Sequence, residues 1–304
     1  MQNDFAQDQI VINTLRYLKS HSAISRRRIT ELHLSRCFTT VEFDDESVGA
    51  SMSYYRLADT VLAGAEQRII ASIAECPFSI LDEGVISELL GGLLEHEAGV
   101  LLVRSLMTSI ASALSAPVIA QGGDLVFRTA KSRPPDWLVG IETALVVGFG
   151  GYFYTLAAQE QIKKLHVLDL FYENRREKID AKMALFRSAH PRKTITASAE
   201  PDQTNRIADF DLVSITGSTL CNGTLERILT EARPDSILIL QGQSASLHPK
   251  LLFEAGINWV VTTVKPISVS RTARGDYGGG KVQHLLEESR LPWIYLLPVD
   301  SSPT

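Results

Sequence analysis

Residues Ala144-Leu145-Val146-Val147-Gly148-Phe149-Gly150-Gly151-Tyr152 decide the fold. An apolar run stops in a glycine-rich turn, and Tyr154 to Lys164 then carries a helical pattern. Strand, glycine loop and helix in that order open a βαβ unit. The rhythm continues downstream. LHVLDLF at Leu165 to Phe171, DLVSIT at Asp211 to Thr216, SILIL at Ser236 to Leu240 and WVVTTV at Trp259 to Val264 read as short buried strands, and Thr194 to Ala197 as a weaker one. Helical stretches lie between them at Lys178 to Ala189, Leu225 to Ala232 and His248 to Ala255. Apolar strands alternating with helices predict a parallel sheet covered on both faces. The expected class is α/β, with a Rossmann-like doubly wound C-terminal domain over residues 141–304.

Upstream the pattern differs. Lys131-Ser132-Arg133-Pro134-Pro135-Asp136 is polar, and adjacent prolines sit in neither a helix interior nor a central strand. A linker is placed at 126–140. Before it, residues 1–125 read as a smaller α+β domain. Asp4 to Lys19 has helical spacing, Thr30 to Phe43 and Val48 to Tyr55 read as a β-hairpin around Asp44 to Ser47, and three helices follow at Thr60 to Ala74, Asp82 to Leu90 and Gly99 to Leu114. Tyr54, Tyr55 and Arg56 follow the hairpin and read as a strand end at the surface.

Composition narrows the function. The chain has 304 residues and a net charge of −5, which argues against a general nucleic-acid or anionic-membrane binder. Val100 to Ala120 is the most apolar long stretch but contains Arg104, so it reads as a buried helix and not a membrane span. MQNDFAQDQIV lacks the basic and apolar regions of a signal peptide, and Cys37, Cys76 and Cys221 fit reduced thiols, so a cytoplasmic location is expected. The histidines, among them His166, His190, His248 and His284, are scattered, so no metal ligand is assigned.

Two features carry candidate chemistry. Gly148, Phe149, Gly150 and Gly151 lie at a strand's carboxyl end, where doubly wound sheets bind ligands. Asp169, followed by Leu170, closes the next strand about twenty residues on, where a carboxylate commonly accepts ribose hydroxyls. Phe153 stands where a dinucleotide fingerprint needs a small residue, which disfavours a pyrophosphate and leaves S-adenosylmethionine as the better candidate. The glycine loop is similar to those of class I S-adenosylmethionine-binding folds. The second feature is Thr216-Gly217-Ser218-Thr219, leading to Asn222, a candidate helix N-cap before Leu225. Such a loop suits a carboxylate or an amino-acid group.

VGFGGY, DFDLVSITGSTLCNGTL, ILILQGQSASLHPKLLFEAGI and the glycines at 278–280 resemble the heavy-metal chelation domain family. The resemblance implies a Rossmann-like domain with an enolase-N-terminal-like partner, whose pattern is similar to CFTTVEFDDESVGAS at Cys37 to Ser51. Gln243 stands where the family pattern has proline. A looser resemblance is to S-adenosylmethionine-cyclising enzymes that make azetidine-2-carboxylate.

The leading expectation is therefore a small-molecule enzyme using S-adenosylmethionine, as cofactor or substrate, with no metal required. It would displace at the sulfonium by cyclisation or by transfer to a second molecule. Tyr152, Tyr172 and Asn222 are the candidate catalytic residues, with Tyr154 a further ring able to face a cation. The rival is a metal-binding or metallophore-handling protein without catalysis, and a nicotinamide-dependent oxidoreductase is a third reading. The partner expected is a small-molecule substrate, with no nucleic acid and no membrane. The N-terminal domain would cap the site or form an oligomer contact, a homodimer included.

Overall fold

The computed structural model describes residues 9–53, 97–121, 125–129, 138, 140–276, 280–287 and 293–298. The expected helices at Thr60 to Ala74 and Asp82 to Leu90, residues Tyr54 to Arg56, the proline pair and the first two glycines of 278–280 lie outside those residues.

Six strands form a parallel array: β5 (Thr143–Val147), β6 (Lys164–Leu168), β7 (Thr194–Ser198), β8 (Leu212–Thr216), β9 (Ile237–Gln241) and β10 (Trp259–Thr262). Their order across the sheet is β10-β9-β8-β5-β6-β7. The chain runs outward from β5 to β7, then returns to β8 and runs the other way. The adjacent carboxyl ends of β5 and β8 are thus the topological switch point, the usual ligand crevice of such sheets. The predicted parallel strands all appear, the inner ones because they are buried on both faces, while β7 at the edge buries only Ile195. Leu145 and Val147 pack into one core, and Ala144 and Val146 into the other.

Two further strands were not foreseen. β11 (Ile294–Pro298) runs antiparallel to β10, and β4 (Leu125–Thr129) runs antiparallel to β11. β4 occupies the start of the expected linker, so that part of the chain belongs to the main sheet.

The helices of the second half are α3 (Gly151–Ala157), α4 (Tyr172–Ala189), α5 (Ser218–Asn222), α6 (Leu225–Glu231), α7 (Pro249–Glu254), α8 (Ser268–Ala273) and α9 (Gly280–Glu287). α3 starts on the glycine loop itself and is shorter than expected. α4 begins earlier, at Tyr172.

The N-terminal part holds α1 (Gln9–Lys19), β1 (Ile29–Leu34), β2 (Phe38–Phe43), β3 (Val48–Met52) and α2 (Glu97–Gln121). The expected hairpin is a three-stranded antiparallel meander, because Ser35 turns the chain back. The Ser35 hydroxyl donates to the Phe38 carbonyl (2.8 Å) and accepts the Phe38 N–H (3.1 Å). α2 is long and apolar enough to cross a membrane, yet it lies buried against β2 and β3. At Gly49, an added Cβ would fall 1.9 Å from the Ser109 carbonyl oxygen, so only glycine lets β3 approach the helix. Hydroxyls lace the contact. Ser51 Oγ donates to the Ser105 carbonyl at 2.6 Å, and Ser109 Oγ to the Thr39 carbonyl at 2.9 Å.

The two expected domains share an apolar core. Ile10, Leu15, Leu106 and Ile110 join Leu145, Val213, Leu240 and Val260 from one face of the large sheet. α3 and α4 cover the other face.

Candidate functional site

The glycine loop and the Thr216 turn meet at the switch point. Gly148 has φ +83°, a region L-residues avoid, and an added Cβ would lie 2.7 Å from the Thr216 Cγ2. Gly148 is therefore required twice, by backbone conformation and by space. Gly217 is required by space alone, since a Cβ there would fall 2.6 Å from the Ala245 amide nitrogen. Gly150 differs from both. It is extended, at φ −149°, and no described atom lies within 4 Å of where a side chain would begin. The loop thus presents bare backbone to open space at Gly150, just before Gly151 starts α3.

Asp169 is drawn inward. Only 4% of it is exposed. Its Oδ2 accepts the Phe149 N–H at 2.8 Å and its Oδ1 accepts the Phe171 N–H at 2.9 Å. Arg175 approaches the same Oδ2 at 3.6 Å. The carboxylate staples the glycine loop to the turn after β6, and half of its lone-pair capacity goes to backbone. The sequence placed Asp169 at the strand end, and in the structure its carboxylate accepts two backbone N–H groups beside whatever else it meets. Leu170, its neighbour, is 56% exposed.

The Thr216 turn is self-contained. Thr219 Oγ1 donates to the Thr216 carbonyl at 2.7 Å, and Ser218 Oγ to Thr216 Oγ1 at 3.2 Å. Asn222 does not cap the helix at Leu225. It ends α5, its Oδ1 accepts the Thr224 N–H (3.2 Å) and hydroxyl (2.7 Å), and its carbonyl accepts Arg104 Nη1 (3.2 Å). Thr224 occupies the cap position, because Gly223 reverses the backbone at φ +71°.

The candidate tyrosines are committed elsewhere. Tyr152 is buried in the α3-side core, where burial and the Tyr295 hydroxyl push its phenol up from its ordinary value. Tyr172 is also buried. Its hydroxyl donates to Asp180 at 3.1 Å, and Arg176 lies 5.3 Å over its ring. Lys182 sits 5.6 Å over the ring of Tyr154. Two of the rings expected to face a ligand cation already face the chain's own cations. Phe153 is fully buried and packs on Phe149, Tyr154 and Phe186, so no close helix–strand approach of the dinucleotide type forms there.

Metal donors do not assemble. Among the described residues no group of three His, Cys, Asp or Glu side chains gathers. His166 bridges the hydroxyls of Thr196 (2.8 Å) and Ser198 (3.0 Å), and burial lowers its pKa to about 4. His248 packs edge-on against Tyr17. Among the described residues, the donors therefore form no metal cage.

The far wall of the crevice is the 3-10 turn Gln243–Ala245 after β9, with Gly242 at φ +109°. Gln243 fills the place of the expected proline through its amide. Nε2 donates to the Leu286 carbonyl at 3.0 Å, and Oε1 accepts the Thr263 hydroxyl at 2.6 Å. Behind this turn lies Lys265, which is 3% exposed and which the sequence reading passed over. A signal was present. The lysine directly follows an apolar strand, and no acid occurs between Glu254 and Asp276.

Comparison with known proteins places the fold. A DUF364 protein of unknown function from Desulfitobacterium hafniense DCB-2 superposes with a TM-score of 0.58 at 14% identity, over 95% of this chain and 98% of its own. Another, from Pyrococcus horikoshii, gives 0.57 at 16% identity, over 94% and 98%. At such identities the likeness is one of fold. No curated protein matches the chain. Nothing in these comparisons supports the looser resemblance to azetidine-forming enzymes. The family model whose description reads "Putative heavy-metal chelation" matches residues 138–292, half of the chain and all of the parallel array, and the chain accordingly belongs to the DUF364 family.

Proposed function

We propose that the switch-point crevice binds a small nucleoside-containing molecule, with S-adenosylmethionine the first candidate, and that the chain acts on it as an enzyme of small-molecule metabolism. The observation that carries this reading is Gly150. It offers bare backbone to open space at the crevice, flanked by a Gly148–Thr216 contact that leaves no room for side chains. The buried Phe153 disfavours a pyrophosphate ligand, whereas S-adenosylmethionine has none.

The roles of individual residues change accordingly. Asp169 shapes the loop through the Phe149 N–H, so it acts on a ribose through backbone more than by direct contact. Tyr152 is withdrawn as a base, since its buried phenol resists ionisation. Displacement at a sulfonium asks little of acid catalysis. The carbon–sulfur bond breaks, a neutral thioether leaves, and the attacking amine or other nucleophile gives up its proton afterwards. Holding nucleophile and carbon in line is the main task. Attack by the ligand's own amine would cyclise it, and attack by a second molecule would transfer a group.

The test is calorimetric titration of the full chain with S-adenosylmethionine in chelator-treated buffer, beside the Gly150→Leu variant. Micromolar binding lost in the variant is expected, and mass spectrometry of the incubated ligand then separates cyclisation from transfer. No binding to the unaltered chain overturns the proposal.

The family description favours a second reading, metal handling. With no donor cluster among the described residues, a metal would be held by the bound small molecule and not by a side-chain cage. Transition-metal binding to the ligand-free chain, abolished by histidine or cysteine substitution, would support direct chelation instead.

A further inference from the structure

The seam between the N-terminal part and the ends of β9 and β10 is polar, unlike the cores on either side. The Met52 N–H crosses it to Ser244 Oγ at 2.9 Å. Val48 and Lys265 form an isolated antiparallel bridge across it. Ser246 Oγ lies 2.6 Å from Thr262 Oγ1. At its centre the Lys265 Nζ donates to the Gln243 carbonyl (2.5 Å), to Ser246 Oγ and to Ser112 Oγ on α2 (3.4 Å). One amine thus ties α2 to the turn that walls the crevice.

All three acceptors are neutral. The elements packed around the amine supply no counter-charge among the described residues. β3, the 243–245 turn and β10 carry no titratable group, apart from the chain's own Lys265 just beyond β10. α2 carries Glu97 at its far end and Arg104, which turns to the Asn222 carbonyl. His248, the next titratable residue after the turn, packs against Tyr17. An ammonium enclosed in this way gains free energy in any state that lets it reach water. The neutral amine does not. It keeps two N–H bonds and accepts one, and a serine hydroxyl can rotate from acceptor to donor to supply it, as a carboxylate could not. Burial accordingly lowers the Lys265 pKa to about 7.

We propose that Lys265 is a proton-operated latch: protonation of its amine opens the seam between α2 and the ends of β9 and β10, and deprotonation closes it. Because the turn it holds packs on Gly217, the latch also sets the wall of the crevice. This inference does not depend on what the crevice binds.

Hydrogen exchange of the Met52 amide, corrected for intrinsic base catalysis, tests it in the full chain between pH 6 and 9. Protection should be flat below pH 7 and rise roughly tenfold per pH unit above it, as one linked proton requires. In Lys265→Met it should be pH-independent. A flat profile in the unaltered chain, or an equal response in the variant, overturns the latch. Should the variant not fold, the titration of the Lys265 ε-carbon by NMR decides. A midpoint near 7 supports the proposal, and an ordinary lysine midpoint near 10 refutes it.

Discussion

The two ends of one strand-end rim are built by opposite means. At β5 and β6 the rim is backbone. Gly148 and Gly150 expose the chain, and the single acid there, Asp169, turns inward to hold the loop's own N–H. At β9 and β10 the rim is side chain. Ser244, Ser246, Thr262 and Lys265 fill it, and β3 and α2 close over it. A backbone-lined rim leaves volume for a ligand, whereas a hydroxyl-lined rim engages another part of the same chain. The covered half locates the N-terminal part, and the bare half is where the proposed binding site is set.

The covered half should break most severely. Gly49→Val places a branched side chain against the Ser109 carbonyl of α2, where even a Cβ falls at 1.9 Å. A loss of about 4 kcal/mol or more is expected, read as a collapse of the thermal unfolding temperature. A variant unfolding like the parent would mean that β3 does not press on α2. Next comes Asp169→Ala. It strips acceptors from two half-buried N–H groups and should cost about 1–3 kcal/mol in urea unfolding, with Asp169→Asn in between. A change in ligand affinity without loss of stability would restore the direct ribose contact that the sequence suggested.

Effects that are smaller per pH unit separate the halves by pH. His166, on the β6–β7 side, is held neutral by burial with a pKa near 4, below the ordinary 6.5. The unfolded chain therefore takes up the proton first. Stability falls as pH drops from 6.5 to 4, by up to about 1.4 kcal/mol per unit. His248 titrates in the same window, so the test is the difference between the parent and His166→Gln. Lys265 is also lowered, to about 7, and again the unfolded chain holds more protons between that value and the ordinary lysine one. Its contribution makes stability rise with pH from 7 to about 10, and Lys265→Met should remove that slope. The smallest stability effect belongs to Gly150→Leu. Its backbone is extended and its side-chain space empty, so the unfolding midpoint should move by less than about 0.5 kcal/mol while ligand binding is lost.

These regions were not equally readable. ALVVG, DLVSIT and SILIL announced themselves because strands buried on both faces are continuous apolar runs. β4 and β11 did not, although IYLLP is itself an apolar run, because both pair antiparallel with distant parts of the chain and stand outside the strand–helix alternation. TELHLSRCFTTVEF read as one strand because its composition is uniformly strand-like, and the reversal depends on a single serine hydroxyl at Ser35. Asp169 was found by spacing. Its inward turn depends on the Phe149 and Phe171 amides, which no side-chain pattern reveals. Lys265 was missed because a strand-end lysine ordinarily meets water.

The placement of β11 has a consequence for how the molecule is made. Pro298 pairs with Leu125 on one side, and Leu296 with Val260 on the other. β11, the last of the described strands in chain order, is thus the one that must enter between β4 and β10. Until it arrives, β4 has no place in the sheet and β10 remains an unprotected edge. The parallel core can assemble before β11 is made, but attachment of β4 has to wait until residues 294–298 have been synthesised. A nascent chain stalled before residue 294 would carry an open sheet edge, the surface most prone to pairing with a neighbour.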